Sequence, residues 1–354
     1  MPDFSPPLPT VPRRTVLTAF AGLAALGVSA CASGATTASL TTPLPDAVPP
    51  GTTLSIASHP AEVQLKTTGE IGRLPFAVSN WPIVTAGPEV IQGFRGKAID
   101  LATNAGIPPI QARATGLDAK IVAVQLKTHP IYQLATTPGS TIASPADLRG
   151  RKIGFSAGQA QGVVVLRTLK ELGLTKDDVT LVELKSTQFL TALQSKQVDV
   201  APLGEPSLTK YLTEFSKDGA RGIPITAVDA LTVLWAPTEV LADQAKTAAI
   251  KAFIPFWARA QVWGWENTDA WIDAYYVKDQ QVSAADGKRI VESNNKPLFP
   301  EKWDSAIRWE QETVDLVSGS GFFGESFDAA ELFDRRFERI AADAVAAEYQ
   351  GDLP

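Results

Sequence analysis

Lys152-Ile153-Gly154-Phe155, then Ser156-Ala157-Gly158-Gln159-Ala160-Gln161-Gly162, then the run from Val163 to Leu172, is the stretch whose reading decides the fold. A short apolar run comes first, a turn of small and amide residues second, and apolar residues at helical spacing third. Strand, small-residue turn and helix form the repeating unit of a parallel sheet, because a parallel neighbour is reached only through a crossover. The same rhythm extends in both directions. Strands are predicted at Leu54–Ala57, Phe76–Asn80, Ile121–Leu126, Lys152–Ser156, Val179–Leu184 and Val198–Leu203. Helical spacing falls at Glu89–Phe94, Pro109–Ala114, Val163–Leu172 and Phe189–Gln194. From Pro237 the pattern turns almost wholly helical, over Ala245–Trp265, Ala270–Val277, Ser283–Val291, Lys302–Val317 and Phe327–Ala347. A second half without strands must cover a sheet built by the first.

Ligands of open parallel sheets bind beyond the carboxyl ends of the strands, where helix N-termini present unpaired N–H groups and a positive dipole end. Three turns here have that character: Asn80-Trp81 leading to Ala86-Gly87-Pro88-Glu89, Asn104-Ala105-Gly106-Ile107-Pro108-Pro109, and the Gly158 turn. Small residues in them let a ligand approach the backbone.

The 354 residues carry a net charge of −6, with 45% hydrophobic and 20% charged residues. That balance argues against nucleic acid and against a broad basic membrane-binding face, but leaves room for a locally positive site. Cys31 is the only cysteine. The folded part therefore has no disulfide, thiolate nucleophile or Cys-ligated metal. Upstream, Arg13-Arg14 precedes an uncharged Ala/Gly/Leu run ending at Val28-Ser29-Ala30-Cys31. The arginine pair and the apolar run read as an export signal, by the twin-arginine or the general route. Small residues before a lone cysteine resemble a lipobox, with Cys31 as the lipidated residue. The run is shorter than the ~20 residues a membrane span needs. Residues 32–53, rich in Ala, Ser, Thr, Gly and Pro, read as a flexible tether.

The order of several segments carries a family resemblance. Gly87-Pro88-Glu89-Val90-Ile91, Gly96-Lys97-Ala98-Ile99-Asp100 and Pro108-Pro109-Ile110-Gln111-Ala112 come first. Ser144-Pro145-Ala146-Asp147-Leu148-Arg149-Gly150-Arg151-Lys152-Ile153-Gly154, Ala192-Leu193, Val198-Asp199-Val200 and Glu205-Pro206 follow. Together, over about Leu54 to Gly222, they resemble the solute-binding proteins for nitrate, sulfonates and taurine. The resemblance implies an α/β, two-lobe type 2 periplasmic-binding-protein fold, with a mostly parallel sheet in each lobe and the helical C-terminal segment packed on lobe I. Lobe I would take 54–133 and 234–354, lobe II 134–233, with crossings near Gln133-Leu134 and Leu234-Trp235. It also implies a monomer that clamps a small anionic ligand and passes it to an ABC transporter permease. The lipid anchor would hold it at the outer face of the cytoplasmic membrane, with no cofactor and no nucleic acid.

On that reading a sulfonate-like oxyanion would rest on amides of Asn104, Ala105, Gly106, Gly158, Gln159, Ala160 and Gln161. Side-chain donors would come from Ser58, Asn80 and Gln159, with His59 bordering the ligand and Trp81 and Trp235 stacking on an organic tail. Glu205 should repel an anion, so it must pair with a base or with a donor on the ligand. Two alternatives use the same scaffold. One is a pyrimidine or thiamine-precursor binder, which would also want Trp81 and Glu205. The other is a desulfinase-like enzyme, but such relatives use a cysteine after the first strand, where this chain has Ala57-Ser58-His59-Pro60. Gly319-Ser320-Gly321-Phe322-Phe323-Gly324 fits G-x-G-x-x-G but follows a helix, so the dinucleotide context is missing. His59 and His129, the only histidines, are far apart in sequence and make no metal pattern. Trp257, Trp263, Trp265 and Trp271 lie at helical spacing, for which core packing is the default.

Overall fold

The computed structural model describes residues 41–84 and 86–354. The export signal, Cys31 and the first part of the tether lie outside the described residues. The strands are β1 (Thr53–Ala57), β2 (Ala77–Asn80), β3 (Leu101–Ala105), β4 (Ala119–Leu126), β5 (Tyr132–Thr136), β6 (Lys152–Phe155), β7 (Thr180–Glu183), β8 (Val200–Gly204), β9 (Gly222–Pro224) and β10 (Leu231–Pro237). They form two five-stranded sheets, ordered β2-β1-β3-β10-β4 and β7-β6-β8-β5-β9. Each sheet is parallel apart from one strand, β10 in the first and β5 in the second. That strand is in each case the one entered directly after the chain changes sheets, so it arrives from the opposite end.

The changes of sheet fall at residues 127–131 and 225–230, between β4 and β5 and between β9 and β10. Gln133 and Leu134 lie within β5, and Leu234 and Trp235 within β10. The two crossing segments are tied together. Lys127 N donates to Ala230 O at 2.7 Å, and Lys127 Nζ donates to Asp229 Oδ2 at 2.7 Å, both side chains buried. A buried ion pair has strong mutual attraction because little water screens it, and breaking it strands a charge.

The helices are α1 (His59–Thr68), α2 (Gly87–Arg95), α3 (Ile107–Ala114), α4 (Ala160–Glu171), α5 (Phe189–Gln194), α6 (Ser207–Phe215), α7 (Thr238–Leu241), α8 (Gln244–Glu266), α9 (Thr268–Trp271), α10 (Ala284–Glu292) and α11 (Asp304–Gly319). A π-helical turn, Ile272–Val277, continues α9. Helix α8 lays Ile250, Phe253, Ile254 and Trp257 into the core of the first sheet and packs on α1 and β1. Helix α11 packs on both α3 and α4, and so touches elements of both halves.

Two sequence expectations are corrected. Phe327–Ala347 is not a helix but a chain of short turns at Ala329–Leu332, Arg335–Phe337 and Ala342–Ala344. Asp328 and Asp334 cap the first two with their side chains, Arg339 takes φ 76°, and Asp334 N donates to Ile121 O at 3.0 Å. Those local bonds hold the chain along the edge of β4. Residues 41–52, read as tether, lie on the body. Leu44 and Val48 pack on the core, Arg336 Nη1 donates to Thr42 O at 2.9 Å, and Lys251 Nζ donates to Asp46 Oδ1 at 3.0 Å.

Candidate functional site

The three turns singled out in the sequence do meet. A side chain on Gly87 would stand 2.5 Å from Pro108 and 3.1 Å from the Gly158 carbonyl oxygen, so the starts of α2, α3 and α4 share one spot. The spot is filled by protein. The Gln111 amide of α3 lies directly against Gly158, where any Cβ would overlap it, and the Glu310 carboxyl of α11 lies against Gly106 in the same way. Neither glycine has positive φ, so close approach, not backbone freedom, is what requires a residue without Cβ here. Glu310 is 1% exposed, and burial, helped by the charge of Asp229 and opposed by Arg167, pushes its carboxyl up to about 8.

Several of the other predicted contacts are also occupied. Asn104 Oδ1 accepts from Trp235 Nε1 at 2.9 Å. The Trp235 ring is fully buried, edge-on to Phe94 at 4.7 Å, and offers no face to a ligand. Ser58 is buried with its hydroxyl on Thr103 Oγ1 at 2.7 Å. The Gln159 side chain turns inward, its Oε1 accepting from Ser156 Oγ at 2.7 Å and from Ser186 N at 2.9 Å. His59 stands between two carboxylates, with Nε2 2.9 Å from Asp279 Oδ1 and Nδ1 3.3 Å from Glu62 Oε2, in a separate surface groove. Asn80 is exposed at the end of β2, and Trp81 is half-buried, 6.3 Å from the Phe253 ring. Ala105 and Ala160 supply only backbone at their turns.

The open space lies beside this spot. A cleft of about 380 Å³ runs between the halves, bordered by Gln161 at the first turn of α4, by Ser186 and Thr187 before α5, and by Glu205 at the end of β8. Tyr276, Ser293 and Asn294 close it from the C-terminal segment. A second chamber of about 280 Å³ shares Ile131, Glu205, Tyr276 and Asn294 with the first, so the two adjoin. The difficulty posed by Glu205 is resolved by a residue the sequence did not point to. Arg289 of α10 donates to Glu205 Oε1 at 3.2 Å and also bonds Thr209, while Glu205 Oε2 accepts from Thr209 N at 3.1 Å and Thr209 Oγ1 at 2.7 Å. The carboxylate is thus neutralised by a base 84 positions away, a separation at which no local pattern signals a pair.

Two sheets of this order, joined by paired crossings and enclosing a cleft at helix N-termini, define the periplasmic-binding-protein fold. Comparison with solved structures agrees. The alkanesulfonate-binding protein SsuA from Xanthomonas axonopodis pv. citri, bound to MOPS, superposes with a TM-score of 0.69 at 19% identity, covering 82% of this chain and 99% of that one. Residues 89–227 match the family described as NMT1/THI5 like. In sequence the chain is similar to two proteins that share the name "Putative aliphatic sulfonates-binding protein". With that of Escherichia coli (strain K12) it is 30% identical over 142 residues, 40% of this chain and 44% of the relative's length. With that of Bacillus subtilis (strain 168) it is 24% identical over 271 residues, 74% and 78% of the two chains.

Proposed function

We propose that this chain is the extracytoplasmic solute-binding component of an ABC importer, capturing an organosulfonate or related oxyanion between its two halves. The observation that carries the reading is the cleft at the start of α4, where Gln161, Ser186 and Thr187 surround the N-terminal end of a twelve-residue helix. Such an end attracts an anion through its free N–H groups and dipole. Among the described residues, Lys127 is the one cation lining the two chambers, and Asp229 holds it. The head group is therefore held by neutral donors and the helix end, which suits an oxyanion whose charge is spread over several oxygens. The sulfonate-binding names of the similar proteins support the same class.

On this reading the role is capture. Ser58 Oγ is bonded to Thr103 and His59 Nε2 to Asp279, not to one another, which supports that reading. Arg13-Arg14 and Cys31 provide export and a lipid anchor at the outer face of the cytoplasmic membrane, from which a monomer delivers ligand to a permease. Thermal denaturation of the mature protein with sulfonates, sulfate, nitrate and pyrimidines tests the ligand class. A ligand at 100 times its dissociation constant adds about 2.7 kcal/mol. Stabilisation by sulfonates is expected. Stabilisation by a pyrimidine and by no oxyanion would overturn the reading.

A further inference from the structure

Tyr132 is the first residue of β5, entered directly from the first crossing, and it lines the first chamber. Its cross-strand partner on β8 is Gly204. A Cβ at Gly204 would stand 3.1 Å from Tyr132 Cε1, and Gly204 does not have positive φ. The missing side chain therefore serves to let the ring lie across the end of β8. The ring also packs against the main core, so a strand and not a loop fixes its place. Its hydroxyl is the unusual part. It makes no hydrogen bond with any described residue, yet it is not sealed off from solvent. A phenol so surrounded normally finds a partner. Burial, with the charge of Asp229 added, pushes its pKa well above the ordinary value, so it stays protonated and remains a donor at neutral pH. Gln161, Ser186 and Thr187, around the start of α4, line the same chamber.

We propose that Tyr132 is a ligand-contacting residue that fixes the anionic head, its hydroxyl donating a hydrogen bond to one head-group oxygen while the start of α4 serves the others. This rests on the oxyanion reading of the first chamber and adds to it a side-chain donor carried by a strand. Tyr132→Phe keeps the ring on Gly204 and deletes only the hydroxyl. Because that hydroxyl has no partner in the protein, the ligand-free melting temperature should stay within about 2 °C of wild type. A hydrogen bond to a charged oxygen is a strong one, so titration calorimetry should show methanesulfonate and butanesulfonate weakened alike, by about tenfold to a hundredfold. An equal loss for the short and the long tail places the contact at the head. A phenol that donates to an anion absorbs at longer wavelength. Saturating methanesulfonate should therefore give wild type a red-shifted tyrosine band in its ultraviolet difference spectrum, and Tyr132→Phe at saturation should lack it. Unchanged affinity in the variant, a loss confined to the longer tail, or a loss without the band in wild type would overturn the role of Tyr132 while leaving the oxyanion site standing. A large fall in the ligand-free melting temperature would do the same, by showing that the hydroxyl serves the fold. Failure of both sulfonates to bind wild type would remove the oxyanion reading, and this contact with it.

Discussion

Glu310 offers the sharpest test of the packing between the halves. Its carboxyl is enclosed by α3 at Gly106 and shares its surroundings with Arg167 of α4 and Asp229 of the second crossing, and its Oε1 accepts no hydrogen bond. Burial first, and Asp229 second, disfavour the charged form and push the carboxyl from an ordinary 4.5 up to about 8. At neutral pH the folded protein keeps the proton and the unfolded chain does not. Stability from this group is therefore complete below about pH 4.5 and is lost as pH rises through about 8. The interval between those values, at about 1.4 kcal/mol per unit, amounts to roughly 5 kcal/mol. That is an upper figure, because Arg167 can turn toward the ionised carboxylate. Glu310→Gln keeps the shape of the protonated acid and removes its titration. At pH 5 the variant should match wild type to within about 1 kcal/mol. By pH 9 it should be the more stable protein, by several kcal/mol or roughly 10 °C in melting temperature. Denaturation of the two proteins at matched pH values, taken as a difference, cancels the other titrating groups. Parallel stability profiles from pH 5 to 9 would refute the reasoning and place Glu310 in a wetter site than the geometry gives it.

Arg289→Ala should leave the Glu205 carboxylate unpaired at the rim of the cleft and weaken binding of an anionic ligand by about five- to tenfold, with little loss of stability because Arg289 is half exposed. Glu205→Gln added to that variant should restore the affinity by calorimetry, an outcome that a direct ligand contact through Glu205 would not give. Cys31→Ser should move the protein from the membrane fraction to the soluble fraction or leave the precursor uncut. Fractionation with mass spectrometry of the wild-type N-terminus checks this, and an unmodified Cys31 in a membrane-held protein would count against the anchor.

The parts of the fold that follow from local periodicity were legible: the strand-turn-helix unit at Lys152, the helix Phe189–Gln194 and the long helix α8 all stand where the apolar spacing places them. Strands β5 and β10 were not, because each is the antiparallel intruder in its sheet and is fixed by the return of the chain from the other half. The meeting of the three helix starts was legible, and what fills it was not. Small residues at Gly106 and Gly158 announced a close approach to a helix start, and a close approach is present at both. A glycine cannot announce what approaches. Here Glu310 and Gln111 do so from within the chain, 204 and 47 positions distant. From sequence alone a carboxylate introduced at Gly106 would be expected to act through charge, by repelling a bound anion. In the folded protein it would first have to displace the Glu310 carboxyl, so its main effect falls on packing between α3 and α11, and even the uncharged change to alanine meets the same obstacle. On the proposed reading the ligand would take the neighbouring helix start at Gln161, where Ser186, Thr187 and Asn294 border open space.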